Sequence, residues 1–182
     1  MLTYVPISTT GGMGSLLDTP RGVTRSLVGA TVLLVGLVQS AAVLSSQEVV
    51  APLADRARGA ERIVVGRVSS VAPVWRVNDF GDRLIVSIVS VAVDETLKGP
   101  PQPSVQVEVE GGTIGDVTLR VSDLASFVPG DRAVFYLSRS PRGVFVPHLR
   151  GQGLLKLDRQ DRVPGSSLTL DEIRRTVAAA NR

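Results

Sequence analysis

The chain has 182 residues, a formal charge of +3, 43% hydrophobic and 20% charged residues, and no cysteine. That length holds one ordinary domain plus a targeting segment, and that balance belongs to globular chains rather than disordered ones. The missing cysteine excludes disulfides, a thiolate nucleophile, a cysteine-ligated zinc and a lipid-modified cysteine behind a signal sequence.

Residues 1–20 are polar, rich in glycine and threonine, and without periodicity. They are expected to be a disordered tail or a mis-annotated start, with Met13 or Val23 as the true beginning. Residues 27–38, LVGATVLLVGLV, carry no charge, follow Arg21 and Arg25, and lead into Ser40, Ala41 and Ala42. A basic flank, a short apolar core and small residues at the cleavage point predict a signal peptide over 21–46, cut after Ala42. Taken as far as residue 44, the hydrophobic leader helix reaches about eighteen residues, marginal for a membrane span. An uncleaved N-terminal membrane anchor over residues 27–44 is the alternative. Both place the remainder outside the cytoplasm, secreted or periplasmic.

From residue 47 onward there are 18 basic and 16 acidic residues, so the part expected to fold is nearly neutral despite the pI near 9.9. Val49, Leu53 and Ala57 share one face of a short helix within 47–62, with Pro52 near its first turn. At Ile63 the period changes. IVVGRVSSVAPVWRV is β-branched and predicts a long strand with Gly66 at a bend or bulge. NDFGDR at 78–83 is a turn cluster. The strand that follows is apolar on both alternating sets, Leu84, Val86 and Ile88 against Ile85, Val89, Val91 and Val93. It reads as a barrel wall covered outside by a helix.

GPPQP at 99–103 breaks regular structure. Strand patterns then recur at 104–110, 117–121, 132–137, 144–149 and 154–158, separated by PGD, SPRG and RGQG turns. Between the first two lies the glycine cluster of VEVEGGTIGDVTLRV, residues 107–121. A phosphate-binding loop would carry a lysine and open onto a helix. Here a strand pattern follows, so Gly111, Gly112 and Gly115 are expected only to turn the chain. SLTLDEIRRTVAAANR closes the sequence with a capping box at Thr169 and Glu172 and an apolar stripe of Leu170, Ile173, Val177 and Ala180. The expected fold is mainly β: a single domain over 47–182, a small antiparallel OB-like barrel with a short helix before its first strand and a C-terminal helix.

The chemistry is sparse. His148 is the single histidine, no Gly-x-Ser-x-Gly elbow occurs, and one histidine without cysteine does not make a zinc site. His148 shares an alternation face with Val144 and Val146, as a half-buried strand residue would. Asp94 and Glu95, adjacent in a strand, point to opposite faces. Asp79 and Asp82 flank Gly81 and suit a turn better than a calcium ion. Neither catalysis nor a cofactor or metal is expected. Basic residues concentrate in 131–162, and Arg132, Arg139, Arg142, Arg150 and Arg159, with Trp75, are the candidate ligand contacts. Single-strand binders also need exposed aromatic platforms, which are few here.

RIVVGRVSSV, VAVDETLKG, VQVEVEGGTIG, FVPGDRAVFYL and GQGLLKLD, in that order, resemble a widespread set of uncharacterised exported bacterial proteins, over about residues 48–180. The resemblance implies an OB-like barrel and is more distantly similar to the barrel of tissue metalloproteinase inhibitors. Those act through an N-terminal cysteine that this chain lacks. The expectation is an exported, non-enzymatic β-barrel binding module whose partner is a protein or an envelope component. Two alternatives stand beside it: polyanion or oligonucleotide binding by the basic turns, and a hydrolase relying on His148.

Overall fold

β-Branched residues have little freedom at χ1 and fit a pleated surface, so the run that begins at Arg62 goes extended. β1 (Arg62–Val77) and β2 (Arg83–Lys98) form one long hairpin, each strand sixteen residues long. The computed structural model describes residues 50–182 except Asp79. The tail or start expected at 1–20, the leader at 21–46 and the proposed role of Asp79 lie outside the described residues. Asn78 builds the turn: its Oδ1 accepts from the amides of Phe80 and Asp82 at 3.0 and 2.8 Å.

β3 (Ser104–Glu110) pairs antiparallel with β2. Two backbone bonds, Gly111 to the carbonyl of Ile85 and Val93 to that of Pro103, show that the odd-numbered residues of β2 face β3. Trp75 and Pro73, opposite Ile85 and Ser87, therefore turn their backbone polar groups away from β2. Pro73 is tolerated because no ladder bond calls on its missing N–H, and it blunts the edge against a further strand.

The chain next forms a separate small hairpin, β4 (Gly112–Ile114) and β5 (Val117–Leu119), with Gly111, Gly112 and Gly115 at positive φ. β6 (Arg132–Arg139), β7 (Phe145–Pro147) and β8 (Leu154–Leu157) follow, with a 3-10 turn at Arg150–Gly153 before the last. The main sheet runs β1-β2-β3-β7-β6-β8, and a further β1–β6 pairing closes β1, β2, β3, β7 and β6 into a ring. Its pairings are antiparallel except where β3 meets β7 in parallel at Val107 and Phe145. This is the small OB-like barrel the sequence predicts.

The barrel has two cores. Val64, Val89, Val107, Phe135 and Leu137 point inward. Ile63, Val65, Val134 and Tyr136 point outward beneath α1 (Leu53–Gly59) and α2 (Leu170–Ala180), which add Ala57, Leu170, Ile173 and Val177. Each such aliphatic side chain contributes about 1.5–3 kcal/mol on burial. Two-sided burial under the helices thus falls on β1 near its start and on β6, while β2 is buried on both faces only around Ile85–Ser87. On β2, Ile85, Val89 and Val91 are buried on one set and Val86 on the other, but Leu84 and Ile88 are half-buried and Ala92 is exposed. α1 runs directly into β1 and α2 returns after β8, so the helical cover falls on the β1–β6–β8 side.

Thr169 caps α2, accepting from the Glu172 amide at 3.3 Å while the Glu172 carboxylate accepts from the Thr169 amide at 2.8 Å. Arg174 then ties that helix to β2 by two bonds to one Glu95 oxygen, at 2.8 and 3.0 Å. Lys98, the last residue of β2, donates to the carbonyls of Ala57 and Arg58 at 2.8 and 2.9 Å and so anchors the end of α1.

Between Val65 and Gly66 the β1–β2 register slips. A Cβ on Gly66 would stand 2.5 Å from the Ala92 carbonyl oxygen and 2.6 Å from Val91 Cγ1. Gly66→Ala is predicted to cost about 1–3 kcal/mol through overpacking of the paired strand, read as a lower urea midpoint at unchanged slope. An unchanged midpoint would show that the two backbones can separate without loss.

Candidate functional site

The distal half of the β1–β2 hairpin extends past the closed part of the barrel, and its inner face continues the core outward. Val71, Val89, Val109 and Phe127 line the floor of a cleft of about 540 Å³. Its walls are the β4–β5 hairpin, through Gly112, Thr113, Thr118 and Leu119, and the segment 120–127. The glycine cluster of 107–121 therefore does more than reverse the chain. It folds a short hairpin across the barrel end and forms one side of the cleft.

Segment 120–127 is pinned from the other side. Leu149 and Arg150 are both left-handed, at φ 53° and 55°, a costly backbone for non-glycine residues. That reversal brings the Arg150 guanidinium to Asp123 at 2.8 Å and Glu110 at 3.3 Å. A Cβ on Gly151 would overlap the Asp123 carbonyl, so the 3-10 turn lies directly on the segment's backbone. The hydrogen bond from Arg150 holds the Asp123 carboxyl below the ordinary carboxylate range, and the same bond raises the guanidinium. Ser87, on the inner face, donates to the Gly111 carbonyl at 2.7 Å and fixes the start of β4. Arg120 stands exposed at the rim with no ion pair or hydrogen bond among the described residues.

The basic residues singled out from the sequence are dispersed over separate carboxylates. Arg132 reaches Asp94 at 3.2 Å and also pairs with Asp161. Arg139 bonds Glu61 at 2.9 Å and lies 4.4 Å from the Phe145 ring centre. Arg142 and Arg76 share Glu108 at 3.0 and 3.3 Å, on a side chain only 9% exposed. Arg150 is the one member of the set brought to the cleft. Arg159 is exposed and makes no ion pair among the described residues. Trp75 is half-buried beneath the Arg83 guanidinium, 4.3 Å from the ring centre. These arginines do not converge on one open face.

His148 sits one residue beyond β7, half-buried. Its Nδ1 is 2.9 Å from Ser138 Oγ, and its Nε2 edge lies against Gly59. Burial holds the imidazole below its usual pKa, and the nearby Lys98 charge acts in the same direction. Ser138 is a partner that sequence reasoning missed, since nothing in SRSPRG distinguishes it. Neither residue lines the cleft. Tyr136 is fully buried with its hydroxyl unpartnered, and burial pushes the phenol up to about 12. No group of three His, Asp or Glu side chains converges as a metal site among the described residues, and no helix among them is long and apolar enough to cross a membrane.

Compared with known proteins, the chain matches no protein-family model and no curated relative.

The missed part of the site is the segment 120–127. Beyond the strand pattern that ends at Val121, Leu124, Ala125 and Phe127 stand in a stretch without alternation, an apolar density that an ordinary surface loop would not carry. Its anchor is electrostatic, which gives a pH signature. Asp123 has a folded pKa below its unfolded value, so its pair adds stability above about pH 4 and loses it as pH falls through the folded value. Asp123→Asn is predicted to lower the urea midpoint at pH 6, at a cost of up to about 1 kcal/mol for so exposed a pair. The gap should begin to narrow as pH falls below about 4; one that stays constant from pH 6 to 3 would remove the Arg150 pair as its cause.

Proposed function

We propose that this chain is an exported, non-enzymatic binding module that takes a protein or envelope component in the cleft at the end of its barrel. The observation that carries the reading is the cleft itself. Its floor is continuous with the barrel core, and its rim holds hydroxyls and an uncommitted arginine. The one carboxylate lining it, Glu110, is bound to Arg150. Such a pocket, with an apolar floor and a polar rim, suits recognition. General acid–base chemistry would want titratable groups facing the bound molecule, and the cleft offers none that is free.

Export rests on the leader pattern of residues 21–46. The mature protein is predicted to begin at Val43, read by intact mass or amino-terminal sequencing. A mature chain retaining residues 27–44 would favour the anchor instead.

The binding reading is tested by placing a photo-reactive phenylalanine analogue at Ser122 on the rim, and separately at Arg159 on the far surface. A discrete adduct from Ser122 alone is expected; equal adducts from both positions, or none, would sink the assignment to the cleft.

The contact between Ser138 and His148 favours one second reading, a hydrolase with that pair as nucleophile and base. The pair lacks the third member of a triad, since no carboxylate bonds the other nitrogen of His148 among the described residues. If an esterase activity copurifies with the protein, His148→Ala must abolish it for this reading to hold. Polyanion binding by the basic turns has less support, because the ion pairs above already occupy Arg132, Arg139, Arg142 and Arg150.

A further inference from the structure

We propose that the cleft binds an amphiphile with one alkyl chain and an anionic head, the chain lying on the half-buried Val71, Leu124 and Ala125 above Phe127 and the head on Arg120. This rests on the binding-module reading and names the chemistry of its ligand. Val89, Val109 and Phe127 belong to the inner core, and Val71, Leu124 and Ala125 pack against it. A group reaching that floor touches the barrel interior, where a polar group would lose its water without gaining a partner. An alkyl chain loses nothing there, and a cleft of about 540 Å³ lies within the usual range for a small ligand.

The rim decides the head. Glu110 and Asp123 converge on the single guanidinium of Arg150, and that pairing removes both carboxylates as acceptors for a cationic ligand. Arg120 is the cation lining the cleft, and no carboxylate among the described residues takes it. Ser122 and Ser126 add hydroxyls to the same lining, while the Thr118 hydroxyl pairs with that of Thr113 at 3.0 Å. A carboxylate or phosphate can take several of these donors at once, while an ammonium head would meet Arg120 as a like charge. Addition of a peptide strand along the neighbouring free edge of β1 is disfavoured, because Pro73 lacks the amide that a ladder would need there.

Titration calorimetry on the folded protein tests the proposal with three probes of equal chain length: dodecanoate, dodecyltrimethylammonium and dodecyl maltoside. Dodecanoate is expected to bind at least about tenfold tighter than the other two, the worth of one charge-assisted contact. Arg120→Gln should erase that preference, leaving the alkyl contribution. Ala125→Trp, which fills the cleft, should abolish binding; Ser126→Trp, on the exposed rim, provides the same block should the first variant fail to fold.

Co-sedimentation with phosphatidylglycerol and phosphatidylcholine vesicles separates the two sources of such a ligand. Retention on the anionic vesicles that Ala125→Trp removes assigns a membrane lipid, and dodecanoate binding without retention assigns a free acid. The proposal is overturned if dodecanoate does not bind, if the cationic or neutral probe binds as tightly, or if the tryptophan variants bind like the unaltered protein. Should the Ser122 adduct form while dodecanoate fails to bind, the binding module stands and the amphiphile falls.

Discussion

Six residues of β1, Arg62 to Arg67, pair with six of β6, and that ladder turns an open sheet into a closed one. The same residues alternate between the two cores, Val64 inward and Ile63 and Val65 outward, with Phe135 and Tyr136 doing likewise on β6. Closure and helix packing are therefore one event energetically. α1 and α2 have an apolar surface to cover only because β1 and β6 lie side by side, and that ladder is shielded from water only because the helices cover it. Lys98 and Arg174 reinforce the arrangement from β2, one holding the end of α1 and the other holding α2.

Closure also explains why a cleft exists. β1 and β2 are both sixteen residues long, but β6 pairs with only the first six of β1. The rest of the hairpin carries an apolar inner face past the point where the ring ends. The chain covers that surplus in part with the β4–β5 hairpin and in part with segment 120–127, and the cleft is what they leave between them. Arg150 holds the covering segment by an ion pair, which an exposed surface weakens. The wall of the cleft is thus tied down less strongly than its floor.

A chain with this many arginines invites a polyanion as its partner, and the structure shows why composition misleads. Acidic residues distant in sequence return to meet the basic turns: Asp94 to Arg132, Glu61 to Arg139, Glu108 to Arg142, and Asp123 with Glu110 to Arg150. Separations of that kind are invisible to any count along the chain. Which arginines remain without a carboxylate partner among the described residues, Arg120 among them, only the fold identifies.

Local pattern sufficed for the elements. Alternation placed β3, β6 and β8 to within a residue or two, the Thr169–Glu172 box located α2, and the pattern of short strands with regular turns implied the barrel, because these signals depend on residues close in sequence. Where the helical cover lies was not legible, since β2 is the more apolar in sequence but is buried on both faces only around Ile85–Ser87, while the helices lie over β1 and β6. The Ser138–His148 contact, the cleft wall at 120–127 and the loss of free charge at the turns were not legible either. Each depends on residues brought together from different strands, and only ring closure sets those distances. The sequence by itself determined a mainly β domain bounded by two helices and poor in catalytic groups. Only tertiary contacts set where the barrel stops short of its longest hairpin, and so where the cleft opens.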